Sequence, residues 1–168
     1  MNITVQVEPT GGAPTSVEYR WDTDTAILTA NVRGAAAVGG GISGSVELAG
    51  NDGSWVILDV KDGSIRGVEI AVWPDVQSVP ALRPPDGIES VRLVVPSGRD
   101  GENVALLQMD TALVAEADQS ERTIHFKLGA ARVARTVRIA SDILVDVDDR
   151  DTIKGIWLLN VPPFPGDE

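Results

Sequence analysis

Side chains capable of acid–base chemistry are few in this 168-residue sequence. His125 is the only histidine, and the absence of cysteine excludes thiolate catalysis, disulfides and cysteine-ligated zinc. In "TIHFKL" the alternation puts His125 on one strand face with Thr123 and Lys127, which predicts a partly exposed histidine. A Ser-His-Asp arrangement would depend on this residue alone, and no Gly-x-Ser-x-Gly pattern occurs. Support for a nucleophilic triad is therefore thin.

Three carboxylates are the other candidates for chemistry. Asp22, Asp24 and Glu69 would act as paired carboxylates, as in glycosidases, if the fold brought them together. Turn capping and strand edges explain the same residues without any chemistry, and we favour that interpretation. If the carboxylate interpretation holds, these residues and His125 form the site of a small-molecule binding protein or hydrolase.

A dense acidic stretch, "DVDDRD", invites a calcium interpretation. It contains Asp146, Asp148, Asp149 and Asp151. A calcium loop of the EF-hand type needs an oxygen ligand at position 5, Gly at 6 and Glu at 12. Those positions hold Arg150, Asp151 and Trp157. The pattern predicts a solvated acidic hairpin turn and no metal site.

The glycine-rich stretch "VGGGISGS" contains a formal Gly-x-Gly-x-x-Gly at Gly39, Gly41 and Gly44. In dinucleotide-binding proteins a helix of several turns follows these glycines and directs its N-terminus at the pyrophosphate. Here only "SVELAG" precedes the next turn signal, so no such helix fits. We predict a glycine-rich hairpin tip and no cofactor.

One basic cluster, "ARVARTVRI", stands out in an acidic sequence. Its cations are Arg132, Arg135 and Arg138. A solvated or edge strand is the favoured interpretation, because charge on an edge strand discourages aggregation. A site for a small anion or an acidic peptide is the alternative.

The charge distribution narrows the classes of partner. The net charge is −11, and it is even: residues 1–84 hold 5 basic and 10 acidic residues (−5), and residues 85–168 hold 9 and 15 (−6). Because Lys and Arg contacts to phosphates dominate nucleic-acid affinity, this surface disfavours DNA and RNA and leaves a basic protein partner open. No apolar run reaches membrane-spanning length, and "MNITVQVEPT" has no signal-peptide pattern. We expect a cytoplasmic protein.

The elements that position these residues are predicted to be β-strands. Runs such as "ITVQVE", "WVILDV", "VEIAVW" and "TVRIA" alternate or are rich in β-branched residues, and turn signals such as "GNDG" and "KDG" separate them. The only helix candidates are "RGAAAV" and "DTALVAEAD", and the second fits a strand equally well. The pattern predicts an all-β sandwich or barrel with little helix. Four tryptophans, Trp21, Trp55, Trp73 and Trp157, are expected to supply much of the core.

The two halves of the chain also resemble each other in sequence. "ILDVKDGSIRGVEI" in the first half aligns with "ILVDVDDRDTIKGIWL" in the second, so Asp59-Val60 corresponds to Asp146-Val147 and Glu69 to Trp157. We therefore predict a duplication with pseudo-two-fold symmetry, in a monomer or a homodimer. The predicted parts of this single compact domain are a first repeat (3–73), a proline-rich linker expected to cross the surface in an extended conformation (74–90), a second repeat (91–161) and a tail (162–168).

The first repeat resembles a small bacterial family, the domain of unknown function 2283. The resemblance lies in Trp21-Asp22, Asp24, Ile27-Leu28, Asp59, Asp62-Gly63 and Gly67-Val68-Glu69. The second repeat keeps "ILVDVDDRDTIKGI" but has no counterpart to Trp21-Asp22. The resemblance implies strand-turn-strand units without established chemistry, and some members look like partners of small toxins.

Taken together, the residues favour a non-enzymatic protein-interaction module, antitoxin-like or accessory, over the small-molecule binder or hydrolase. The asymmetry between the repeats gives a sharper expectation. Trp157 beside Ile156 and Leu158 would leave a large apolar area in water if it were exposed. We predict that Trp157 is mostly buried and that Glu69 lies on a more polar face.

Overall fold

The computed structural model describes residues 3–9, 15–34, 41, 43–96, 104–129 and 132–165, with the backbone alone for 104–109. These residues form fourteen β-strands and no helix, so the all-β prediction is confirmed. The strands are β1 (Gln6–Pro9), β2 (Ser16–Trp21), β3 (Leu28–Arg33), β4 (Ser43–Gly50), β5 (Trp55–Lys61), β6 (Ser64–Val72), β7 (Val76–Ser78), β8 (Glu89–Val94), β9 (Val104–Thr111), β10 (Leu113–Ala117), β11 (Ile124–Leu128), β12 (Arg135–Ala140), β13 (Ile143–Val147) and β14 (Ile153–Leu158). No helix of the described chain is long and apolar enough to cross a membrane.

The strands form one large curled sheet, a half-barrel, with two parts. The first half-sheet has the order β2-β3-β6-β5-β4-β9, and the second has the order β7-β10-β11-β14-β13-β12-β8. Most neighbours are antiparallel, but β9 is parallel to β4, β7 to β10 and β8 to β12. The parts join where Ser64 of β6 pairs with Val94 of β8, and β1 pairs with β8 as well.

Five strands have the same order in both parts. The series β2-β3-β6-β5-β4 corresponds to β10-β11-β14-β13-β12, antiparallel throughout. The β5–β6 and β13–β14 hairpins even shift register at aligned places, after Asp59 and after Asp146. Each following turn contains an aspartate with positive φ, Asp62 at 49° and Asp151 at 56°. A duplication would produce this correspondence, and duplication stays a prediction.

The proline-rich linker is mostly exposed and contains one short paired strand. Val76–Ser78 forms β7, which pairs in parallel with β10, and β8 begins at Glu89. The reason is the placement of the prolines at 74, 80, 84 and 85, outside these strands. The residues of β7 therefore keep the N–H groups that a ladder needs.

One hydrophobic core lies on the inner faces of both half-sheets. Its largest members include Leu28, Leu48, Leu58 and Ile70 from the first half-sheet and Phe126, Ile143, Ile156 and Leu158 from the second. Burial of each such side chain contributes roughly 1.5–3 kcal/mol relative to exposure. Strand β14 is apolar on both faces and lies between β11 and β13.

The tryptophans divide between core and surface. Trp21 and Trp73 are half-buried against the core, and their rings stack with centroids 5.8 Å apart. Trp157 is only 5% exposed, so its predicted burial is confirmed. Trp55 is 37% exposed, so the expectation that it supplies core bulk is wrong. Since Val56 and Leu58 face inward on β5, Trp55 must face outward.

Candidate functional site

His125 lies on the outer face of the second half-sheet and is buried there. The prediction of a partly exposed histidine is wrong, because the residue is only 8% exposed. Its ring stacks on that of Trp157, its cross-strand partner on β14, with centroids 3.8 Å apart and planes 10° from parallel. Its Nε2 lies 2.6 Å from Oδ2 of Asp146 on β13.

Asp146 is the centre of this network. Its Oδ1 accepts hydrogen bonds from the Thr136 hydroxyl (2.6 Å) and the Trp157 indole N–H (3.1 Å), and its Oδ2 faces His125. Burial acts to raise the pKa of this carboxyl, but the bonds from His125, Thr136 and Trp157 outweigh it and the pKa is lowered. The carboxylate is held ionised in a site where it is only 2% exposed.

A glycine makes the His125–Asp146 contact geometrically feasible. His125 belongs to β11 and Asp146 to β13, and β14 runs between these strands with Gly155 directly opposite Asp146. A Cβ at Gly155 would lie 2.3 Å from Oδ2 of Asp146 and 3.1 Å from Nε2 of His125. The two side chains therefore meet over a strand because that strand has no side chain at the crossing point.

Two charged residues complete the outer face around the histidine. Oε1 of Glu116 lies 3.9 Å from Nδ1 of His125 and 2.8 Å from Nζ of Lys127. The order of groups differs from a catalytic triad, in which histidine lies between the nucleophile and the acid. Here Asp146 lies between Thr136 and His125, and the ring is covered by Trp157. Asp146 engages Nε2 of the histidine, while Nδ1 lies 3.9 Å from Oε1 of Glu116, beyond hydrogen-bonding distance.

The other carboxylates predicted from the sequence lie elsewhere. Asp22 and Asp24 are exposed in the β2–β3 turn, where Oδ1 of Asp22 accepts from the backbone N–H groups of Asp24 (3.0 Å) and Thr25 (3.3 Å). Glu69 is half-exposed on the outer face of the first half-sheet, opposite Thr29. Among the described residues no hydrogen bond or ion pair joins these three to one another or to His125.

The structure reveals a counterpart to Asp22 that the sequence comparison missed. Asp118 occupies the β10–β11 turn, and its Oδ1 accepts from the backbone N–H groups of Arg122 and Thr123. Burial acts to raise its pKa, but these bonds and that from Ser120 lower it. No tryptophan precedes Asp118 as Trp21 precedes Asp22, so the sequence comparison did not match the two turns. An aspartate six residues before the start of an apolar strand, as Asp22 is before Leu28 and Asp118 before Ile124, is the signal that would have found it.

The acidic stretch "DVDDRD" forms a turn, as predicted. Oδ1 of Asp148 accepts from the backbone N–H groups of Arg150 and Thr152, both at 2.9 Å. The bond from Thr152 and that from Arg150 lower the pKa of Asp148 despite its partial desolvation. No group of three or more potential metal ligands occurs in the part of the chain that the structure describes. Gly44 of the glycine-rich stretch lies in β4, whereas residues 38–40 and 42 of that stretch lie outside the described residues, as do 35–38 of "RGAAAV".

The three arginines of "ARVARTVRI" do not form one site. Arg135 binds Oδ1 of Asp151 at 3.2 Å, half-buried Arg138 donates to the backbone carbonyl of Ser141, and Arg132 is exposed. Of the predicted solvated or edge strand, the edge placement is wrong, since β12 pairs with both β13 and β8, whereas residues 132–135 are exposed to solvent. A groove of about 230 Å³ does adjoin Arg132, but Asp148 and Asp149 line it too, so its charge disfavours an acidic ligand.

The outer face of the first half-sheet is the candidate binding surface, here called the acidic face. It consists of Glu47, Asp59 and Glu69 around Ile57, with Trp55 at one end. Glu47 and Glu69 are the cross-strand partners of Ile57 on either side, and Asp59 and Trp55 are two residues away along β5. In the described part of the chain none of the three carboxylates forms an ion pair.

Exposed apolar area accompanies this charge. Trp55 is 37% exposed and its cross-strand neighbour Val72 is 47% exposed, so the two form an apolar end to the acidic face. Single exposed apolar residues are ordinary, but tryptophan next to another exposed apolar side chain is typical of binding surfaces.

Comparison with known proteins adds no assignment to this geometry. No protein-family model matches the chain, and no curated protein matches it. The resemblance to the domain of unknown function 2283 family stays a prediction from the residues that carry it.

Proposed function

We propose that the protein is a non-enzymatic protein-interaction module that binds a basic partner through the acidic face. The observation that carries the proposal is the set of three carboxylates, Glu47, Asp59 and Glu69, which form no ion pair with the described residues and surround the apolar side chains of Ile57 and Trp55. Partners with lysine or arginine between apolar residues would complement this surface in both charge and hydrophobicity. An antitoxin-like or accessory role fits such a partner, since some members of the family that the first repeat resembles look like partners of small toxins, and we expect this role in the cytoplasm.

The chemistry of the partner follows from the spacing of the groups. Neighbouring strands lie about 4.8 Å apart, so Glu47 and Glu69 flank Ile57 at one strand on each side. A lysine or arginine stem can cover Ile57 while its charged end reaches either carboxylate. Trp55 supplies the flat apolar area that most often dominates an interface.

The test is a comparison of two triple variants with equal charge change. The partner is captured by cross-linking, identified, purified and titrated calorimetrically into wild type, Glu47→Gln/Asp59→Asn/Glu69→Gln and Asp24→Asn/Asp75→Asn/Asp86→Asn. We expect the first variant to bind about tenfold or more weakly and the second, altered at exposed sites elsewhere, to bind nearly as well as wild type. Equal losses in both variants would refute the acidic face as the binding surface, and unchanged binding in both would refute the role of charge.

The alternative function, a small-molecule binder or hydrolase, has less support. Its residues lie at three separate places: Asp22 and Asp24 in the β2–β3 turn, Glu69 on the first half-sheet and His125 on the second. The buried pair of His125 and Asp146 is the one feature that favours it. Loss of a measured hydrolytic activity in His125→Gln, with the fold intact, would establish this alternative and displace the interaction module.

A further inference from the structure

The segment Val161–Pro165, here called the proline segment, is held by aromatic side chains from the first half of the chain. Its sequence is VPPFP. The Trp21 indole N–H donates to the backbone carbonyl of Pro162 at 2.9 Å, and the Tyr19 hydroxyl donates to that of Leu159, just before the segment, at 2.7 Å. The ring of Phe164 meets that of Trp21 edge to face, with centroids 5.2 Å apart.

The conformation of the proline segment is restricted by its composition. Proline fixes φ near −65°, and the residue before a proline is confined to extended or polyproline II backbone. Val161 and Pro162 each precede a proline, as does Phe164, so every residue of the segment is covered by one restriction or the other. Polyproline II has three residues per turn and no internal hydrogen bonds, which leaves its carbonyls free for donors from another surface.

One side of the proline segment packs against the protein. Val161 is 1% exposed, and Pro162 and Phe164 are half-buried. Pro163 and Pro165 are exposed. The Val161 N–H donates to the Arg122 carbonyl at 2.9 Å, and the three prolines of the segment have no N–H to donate.

Contacts outside the proline segment also hold the side chains of Trp21 and Trp73 in place. Trp21 stacks on Trp73, Trp73 lies 6.0 Å from the core ring of Phe126 between centroids, and the Trp73 indole N–H donates to the Ala26 carbonyl at 2.8 Å. Trp73 therefore fixes Trp21 from the side of the core. The Trp21 indole N–H and the Tyr19 hydroxyl remain directed at the proline segment, since both end on carbonyls there or just before it.

We propose that Tyr19 and Trp21, with Trp73 packed behind Trp21, form a binding site for proline-rich segments in the polyproline II conformation, occupied in this structure by the chain's own proline segment. Flat aromatic rings that pack on prolines, with an indole N–H or hydroxyl directed at a free carbonyl, are how proteins recognise this conformation. The site is distinct from the acidic face. The ligand it takes from another protein is a segment with prolines at alternating or adjacent positions and an aromatic residue among them.

The experiment measures binding of a fluorescein-labelled peptide of residues 159–165 to the full chain by anisotropy. Wild type is compared with Phe164→Ala, which weakens the internal ligand without altering the site, and with the double variant Phe164→Ala/Trp21→Phe, which removes the indole N–H but keeps a ring. A control peptide has alanine in place of all three prolines. Thermal melting checks that each variant is folded, and Phe164→Leu replaces Phe164→Ala if the latter does not fold.

We expect Phe164→Ala to bind the proline peptide about tenfold more tightly than wild type, because the internal competitor is weakened. Adding Trp21→Phe should reverse most of that gain, since one well-formed hydrogen bond corresponds to about tenfold in affinity. The alanine peptide should bind neither protein. Equal affinity of folded wild type and folded Phe164→Ala, or equal binding of the two peptides, would overturn the proposal and leave the segment as a fixed part of the core.

Discussion

The two half-sheets place an aspartate at the same point of the same hairpin, and the two side chains have opposite surroundings. Asp59 precedes the register shift of β5–β6, and Asp146 precedes that of β13–β14. Each faces a glycine on the neighbouring strand, Gly67 or Gly155. Asp59 is exposed and belongs to the acidic face, whereas Asp146 is 2% exposed and is held by three partners.

The neighbours on the adjoining strands explain the difference. Asp146 has His125, Thr136 and Trp157 within hydrogen-bonding distance. Asp59 has Ser45 opposite it on β4, and Glu69 occupies the position that aligns with Trp157. Whether a carboxylate at this position is exposed or buried therefore depends on the hydrogen-bond donors that one or two neighbouring strands supply. The first half-sheet leaves Asp59 exposed on its outer face, and the second buries Asp146 on its own.

The largest difference between the half-sheets should come from Trp157→Ala and Glu69→Ala. Removing Trp157 leaves a cavity and deprives Asp146 of a donor, so we expect the free energy of unfolding to fall by about 3–5 kcal/mol. Glu69→Ala, at the aligned position, should change it by less than about 0.5 kcal/mol. Urea denaturation of both variants measures the two losses. Equal losses in the free energy of unfolding would contradict the difference in burial between Trp157 and Glu69 on the two outer faces.

A smaller difference is expected between Gly155→Ala and Gly67→Ala. A methyl group at Gly155 would lie 2.3 Å from Asp146 Oδ2 and 3.0 Å from the Phe126 carbonyl, and the carbonyl cannot move freely. We expect a loss of about 1–3 kcal/mol, as for other overpacked sites. At Gly67 the nearest atom is 3.4 Å away, so alanine should change stability by less than about 1 kcal/mol in either direction. Thermal melts would contradict the crowding at Gly155 if both variants matched wild type.

The smallest expected effect is a difference in the pH dependence of stability. The folded-state pKa of Asp146 is lowered because the donors around it outweigh its burial, so its contribution is present above the unfolded pKa of about 3.9 and lost as pH falls toward the folded value. Urea melts of wild type, Asp146→Asn and Asp59→Asn from about pH 6 to pH 3 test this. Asp146→Asn should show a shallower decline than the other two proteins. An identical decline in all three would remove Asp146 as a source of acid lability.

Local pattern predicted the strands and turns well, and the burial of the outer faces poorly. The alternation in "WVILDV" and the turn in "DVDDRD" depend on neighbours a few residues away, so the sequence contains the cause. Trp157 was predicted to be buried because its own strand is apolar on both faces. The short strand β7 was not predicted, because parallel pairing with β10 involves residues about forty positions apart.

The His125–Asp146 contact could not be predicted from the local sequence pattern, for a different reason. The residues lie 21 positions apart on strands that are not neighbours, and their contact depends on the order in which β11, β14 and β13 assemble. The one sequence signal was Gly155 inside an otherwise apolar strand, since glycine there often marks a close approach. The side-chain donors to the proline segment, Tyr19 and Trp21, were equally hidden, at more than 120 positions from their acceptors.

The exchange of strands between the two parts of the sheet has a consequence for the protein during its synthesis. Strand β4 pairs with β9, whose residues are synthesised about sixty positions later. The separation along the chain between β1 and its partner β8 is longer still. Until then the nascent chain presents open strand edges, which are templates for aggregation. Folding is therefore expected to be complete only after most of the chain has been synthesised. Until then, chaperones that bind extended apolar segments can bind the nascent chain.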